Sequence, residues 1–144
     1  MVPDILVIHH SLTEDSNTVS WNAIRRYHTE TLGWSDIGYH FGIEYIRDHY
    51  EILMGRMPNV KGAHCLGHNN NSIGICFVGC FDTHAPSQTQ LYAGARLATW
   101  ICKVYHIPVS NIVGHRDLIG GSKTCPGKAF DLDLFRSLVE QKHL

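Results

Sequence analysis

Ser72-Ile73-Gly74-Ile75-Cys76-Phe77-Val78 is a continuous apolar run. A strand that shows no alternation of polar and apolar side chains is one buried on both faces. The run therefore reads as the middle strand of a sheet covered by other elements on each side. Working towards the N-terminus, Arg56 to Asn71 is rich in Gly, Asn, Pro and His without periodicity, which predicts a long surface loop. Before it, Tyr39 to Ile46 alternates, Arg47-Asp48 supplies a turn, and Glu51 to Met54 returns as the second arm of a hairpin. Trp21, Ile24, Tyr27 and His28 recur at helical spacing within Thr18 to Thr31, and Gly33 supplies the stop. Ile5-Leu6-Val7-Ile8 is a second apolar, branched run, and it delivers His9-His10 to a loop.

Towards the C-terminus, Leu91, Ala95, Leu97, Ala98, Ile101, Cys102 and Tyr105 mark one face of a long helix capped by Ser87. Ile112-Val113-Gly114 is a short strand leading into His115-Arg116-Asp117. Gly120 to Gly127 is a glycine-rich loop, and Asp131 to Glu140 closes the chain as a helix with Leu132, Phe135 and Leu138 inward. The fold class that follows is α/β: a single domain over residues 1–144, with a central mixed sheet flanked by about three helices.

Composition narrows the function. Twelve basic and thirteen acidic residues leave a formal charge of -1, so there is no cationic field to hold nucleic acid or an anionic membrane. The N-terminus carries no basic run and its apolar stretch is too short for a signal segment or a membrane span. The expectation is a monomer made in the cytoplasm without a signal peptide. Eleven histidines among 144 residues raise the prospect of a metal site. The five cysteines show neither CxxC spacing nor the even count of a disulfide framework, so reduced, buried thiols are expected, with Cys76, Cys80 and Cys102 packed internally.

A catalytic zinc site takes three protein ligands and leaves the fourth position open. His9 at the end of the first strand, His115 at the end of the last and Cys125 in the glycine-rich loop make such a set if the two strands lie side by side at one edge of the sheet. Two imidazoles and a thiolate leave the ion with a net charge of about +1, enough to acidify water and polarise a carbonyl. Spacing alone gives no local motif and does not choose between His9 and His10, because neighbours on a strand point to opposite faces. A closed site with a fourth ligand from His10 or His64 would instead be structural. No HExxH is present, and Glu44 and Glu51 read as surface residues.

Five segments, in order, carry a resemblance: Val7-Ile8-His9-His10-Ser11, Gly38-Tyr39-His40-Phe41, Asn71 to Gly79, Gly114-His115-Arg116-Asp117 and Lys123-Thr124-Cys125-Pro126-Gly127. Together they resemble the N-acetylmuramoyl-L-alanine amidase type 2 family, which includes phage amidase lysozymes and peptidoglycan recognition proteins. The resemblance implies zinc held by His9, His115 and Cys125, with roles in catalysis for Tyr39 and Lys123. It implies hydrolysis of the amide bond between N-acetylmuramic acid and L-alanine in bacterial peptidoglycan or muropeptides. Cysteine at 125 favours a cutting enzyme over a recognition module that binds without cutting, and over a recycling enzyme with aspartate there. A compact chain of this kind resembles a phage or prophage endolysin, which acts on the cell wall after release. Trp34, His64 and Asn70 are the expected contacts to sugar or peptide. Arg56, Lys61 and Arg116 are candidates to meet a diaminopimelate carboxylate.

Overall fold

A computed structural model describes residues 1–13, 21–118 and 120–143, the side chains of 142 and 143 excepted. Among the described residues five strands form one sheet: β1 (Ile5–His10), β2 (Phe41–Ile46), β3 (His49–Met54), β4 (Ser72–Phe77) and β5 (Ile112–Gly114), in the order β3-β2-β4-β1-β5. Only the β2–β3 hairpin is antiparallel; β4 pairs parallel with both β1 and β2, and β1 pairs parallel with β5. The apolar run 72–77 is thus the central strand, and every residue in it is buried.

One face of the sheet carries Leu6, Ile8, Phe41, Ile43, Ile73, Ile75 and Phe77, and packs against α2 (Gln88–Tyr105) and α3 (Leu132–His143). This is the main core. The N-terminus of α2 is capped as its sequence predicts, with Ser87 Oγ accepting from the N–H of Gln90 at 3.1 Å. In α3, Leu132, Phe135 and Val139 are fully inward, while Leu138 is only partly buried.

The opposite face is lined by small or polar residues, and that is what makes room for a site. α1 (Trp21–Arg26) and a following π-helical turn (Tyr27–Thr31) lie over it, and the chain then reverses at Gly33 with φ +76. Residues 18–20 of the expected first helix lie outside the described residues. A Cβ on Gly42 would come within 2.4 Å of the Trp21 ring, so the indole can lie on the sheet only because that position has no side chain. Glu44, expected at the surface, is instead 4% exposed. Its Oε2 accepts from the backbone N–H of Trp21 at 3.0 Å. A carboxylate at the start of a helix satisfies an otherwise unpaired N–H, which explains its burial.

Candidate metal centre

β1 and β5 are adjacent and parallel, so His9 near the end of one and His115 just beyond the end of the other arrive at the same edge. Ligand sites in such sheets form outside the carboxyl ends of the strands. His9 is in register with Cys76 and therefore projects from the small-residue face; His10 projects to the core side, with its ring 6.2 Å from that of Phe81. The His10 Nδ1 accepts from the Phe81 N–H at 3.1 Å.

Cys125 is brought in by a loop that Arg116 holds closed. The Arg116 guanidinium donates to the carbonyls of Thr124, Gly127 and Phe130. Its backbone N–H donates to Cys125 O at 2.8 Å. Arg116 is therefore a loop staple. Arg56 has the same character, donating to the carbonyls of Ile37, Lys61 and Asp36. Both guanidiniums are engaged by backbone carbonyls.

One donor atom each from His9, His115 and Cys125 lies within 4.8 Å of the others. His9 Nδ1 is 3.7 Å from Cys125 Sγ. A tetrahedral zinc with nitrogen at ~2.0 Å and sulfur at ~2.3 Å sets those two ligand atoms about 3.5 Å apart, so the spacing and the donor set fit that ion. Among the described residues no other group of this kind is present. His64 and His10 do not complete a fourth position: His64 Nδ1 bonds to His9 Nε2 at 2.9 Å, and His10 lies on the other side of the sheet.

Burial, followed by the neighbouring His64 and His115, holds His9 well below the usual imidazole range, and burial lowers His115 too. Both rings are thus neutral at neutral pH, the form in which an imidazole can hold a metal. Burial pushes the Cys125 thiol up to about 11. A metal that binds it as thiolate must displace that proton.

Around the donors is a groove of about 280 Å³ whose walls include His28, Trp34, Tyr39, His64 and Ser122. A second recess of about 410 Å³ shares Ser11, His28 and Tyr39 with it and extends over Ala23, Ile24 and Tyr27. The Tyr39 ring lies 5.1 Å from His9 and 6.2 Å from Trp21, while its hydroxyl engages the Cys76 thiol. Burial and the two nearby thiols raise the Tyr39 phenol well above its ordinary value, so it keeps its proton.

Of the expected substrate contacts, Trp34 lines the groove, with its ring 4.6 Å from His28. His64 reaches the groove wall but is 8% exposed, and both ring nitrogens bond inside the protein, so it supports His9. Asn70 is exposed and outside the groove; its neighbour Asn69 is the structural one, its Oδ1 accepting from the N–H groups of His64 and Cys65. Lys123 is exposed on the Cys125 loop. His28 is the wall residue that sequence reading treated only as part of a helix face. Its Nδ1 accepts from the Gly38 N–H at 2.9 Å, which leaves Nε2 as the proton-bearing nitrogen of the neutral ring.

An α/β domain with an N,N,S donor set at the carboxyl edge of its parallel strands defines the class of this protein. Residues 1–128 match the N-acetylmuramoyl-L-alanine amidase family, and the chain belongs to it. It is 35% identical over 136 residues to the endolysin of Enterobacteria phage T3, covering 90% of this chain and 82% of that one. Peptidoglycan-recognition protein SC2 of Drosophila simulans is 37% identical over 127 residues, covering 84% of this chain and 66% of its own length, just under two thirds. Among solved structures, the N-acetylmuramoyl-L-alanine amidase LysC from Clostridium intestinale superposes with a TM-score of 0.81 at 28% identity, covering 96% of this chain and 86% of LysC.

Proposed function

We propose that this chain is a zinc-dependent peptidoglycan hydrolase that cuts the amide bond between N-acetylmuramic acid and the L-alanine of the stem peptide, as a phage or prophage endolysin. The observation that carries the reading is the convergence of donors from His9, His115 and Cys125 within 4.8 Å at the floor of a groove. Kinship with a phage endolysin, a peptidoglycan-recognition protein and an amidase supports the choice of substrate. A bound zinc ion supplies Lewis acidity and brings the pKa of water towards 7.

The chain's own residues do the rest. His9, His115 and Cys125 hold the ion. Tyr39 retains its proton and so serves as a positioning donor and not as a base. Lys123, two residues before Cys125, supplies a positive charge for the oxyanion that develops at the cleaved carbonyl. Trp34 and His28 offer an aromatic wall and a fixed N–H for the sugar or peptide beside the scissile bond. The protein acts on the wall after release from the cytoplasm.

Digestion of purified sacculi with zinc-loaded protein, read by mass spectrometry, tests this beside a Cys125→Ala variant and a chelated control. Free stem peptides beginning with L-alanine, absent from both controls, are expected. Intact sacculi that retain the protein would make it a recognition module.

A further inference from the structure

A neutral imidazole has one N–H and one lone pair, and a metal ligand must direct the lone pair at the ion. In His9 the choice of nitrogen is not local. It is fixed by a chain of hydrogen bonds that begins at a backbone carbonyl on the far side of His64. Ser72 Oγ lies 2.6 Å from His68 O. A carbonyl only accepts, so the single hydroxyl proton of Ser72 is given there. Ser72 Oγ is also 3.2 Å from His64 Nε2, and with its own proton committed it accepts from that nitrogen. His64 Nδ1 then carries the lone pair, and the 2.9 Å contact to His9 Nε2 places the proton on His9 Nε2. His9 Nδ1 is left bare, 3.7 Å from Cys125 Sγ.

The links in the chain are held rigidly. A Cβ on Gly74 would stand 2.7 Å from the His64 ring, so the ring lies directly on the central strand. The His64 backbone N–H is tied to Asn69 Oδ1 at 2.8 Å, and Ser72 is fully buried in β4. The usual partner behind a metal-bound histidine is a carboxylate, carbonyl or water. Here it is a second imidazole whose polarity is set one residue further out, by a hydroxyl.

We propose that Ser72 and His64 are positioning residues that lock His9 in the tautomer with a bare Nδ1, and that through this they set the zinc affinity of the site. The inference rests on the reading of His9 as a ligand. It concerns the ordering of the metal-free protein, so it has a readout independent of turnover.

Two measurements test it. In the metal-free protein, long-range ¹H–¹⁵N correlations of the histidine rings should show His9 protonated at Nε2 and unprotonated at Nδ1. Zinc affinity, measured by competition with a chromophoric chelator, should fall roughly 10- to 100-fold in Ser72→Ala and in His64→Leu. His64→Gln, whose amide can accept from His9 and donate to Ser72, should stay within about threefold of the parent. The glutamine variant also keeps the test decisive if Ser72→Ala fails to fold. A proton on His9 Nδ1 in the parent, or folded Ser72→Ala and His64→Leu that bind zinc as tightly as the parent, would overturn the proposal and leave the metal reading standing. A parent protein with no zinc affinity would overturn both.

Discussion

At the scale of the residue, the site is a cluster of imidazoles and a thiol kept uncharged by burial, and this has a measurable cost in acid. Burial and the neighbouring His40 lower His64 to about 3 from its ordinary 6.5. The unfolded chain therefore takes up that proton near 6.5, and the native one only near 3. Between those values the unfolded state binds more protons, so stability is complete above about 6.5 and falls as the pH drops towards 3. His9 and His40 shift in the same direction, again chiefly by burial, and add to the slope. Cys125 mirrors this at the other end: raised from 9.0 to about 11, it contributes stability that is lost as the pH climbs through that interval. Urea unfolding of the chelated protein should show a lower midpoint at pH 5 than at pH 7.5, and an unchanged midpoint would contradict the account. Which residues converge was legible through the family resemblance of the segments that carry His9, His115 and Cys125, since spacing alone gives no local motif and does not choose between His9 and His10. What His64 does was not, since its two partners are 55 and 8 residues away and neither lies in a pattern with it.

At the scale of the element, two glycines decide what can rest on the sheet. Gly42 admits the Trp21 ring and Gly74 admits the His64 ring, at 2.4 and 2.7 Å from where a Cβ would be. Both substitutions to alanine force a shift of a packed ring, at about 1–3 kcal/mol each. They should differ in a second respect. Gly74→Ala displaces the residue behind His9 and should weaken zinc binding as well as stability, whereas Gly42→Ala should lower stability alone. Denaturant midpoints and chelator competition on the same samples separate the two, and equal loss of zinc affinity in both would refute the distinction. Strands and helices were readable wherever periodicity carries the information: the buried run at 72–77, the hairpin across Arg47-Asp48, and the helix that opens after Ser87. The π-helical turn at Tyr27–Thr31 was not, because apolar spacing looks alike whether the hydrogen bonds span four residues or five. Glu44 was misread for a related reason, its partner being a backbone N–H 23 residues earlier, which no side-chain pattern reports.

At the scale of the whole molecule, one arginine joins the sheet to the third donor. Arg116 immediately follows His115 and clamps the carbonyls of Thr124, Gly127 and Phe130, so the histidine and the cysteine are positioned by a shared staple. Lysine keeps the charge but has no planar fork to reach three divergent carbonyls. Arg116→Lys should therefore cost roughly tenfold in zinc affinity, with far-UV circular dichroism unchanged; affinity equal to the parent's would show that the loop closes without it. Sequence alone left Arg116 beside Arg56 and Lys61 as a candidate to meet a carboxylate, because spacing does not report the carbonyls that surround its guanidinium.

The strand order carries a consequence for how the protein comes into being. β1, made first, pairs with β4 and β5, the last two strands of the sheet, and its His9 meets a cysteine 116 residues later. Parallel pairings over such separations form late, after the entropy of closing the intervening chain has been overcome. During synthesis one edge of β1 waits unpaired until residues 72–77 have emerged from the ribosome, and the other until residues 112–114 have. A chain interrupted before Cys125 therefore lacks the third donor, and the three side chains meet only once the strands on both sides of β1 are in place.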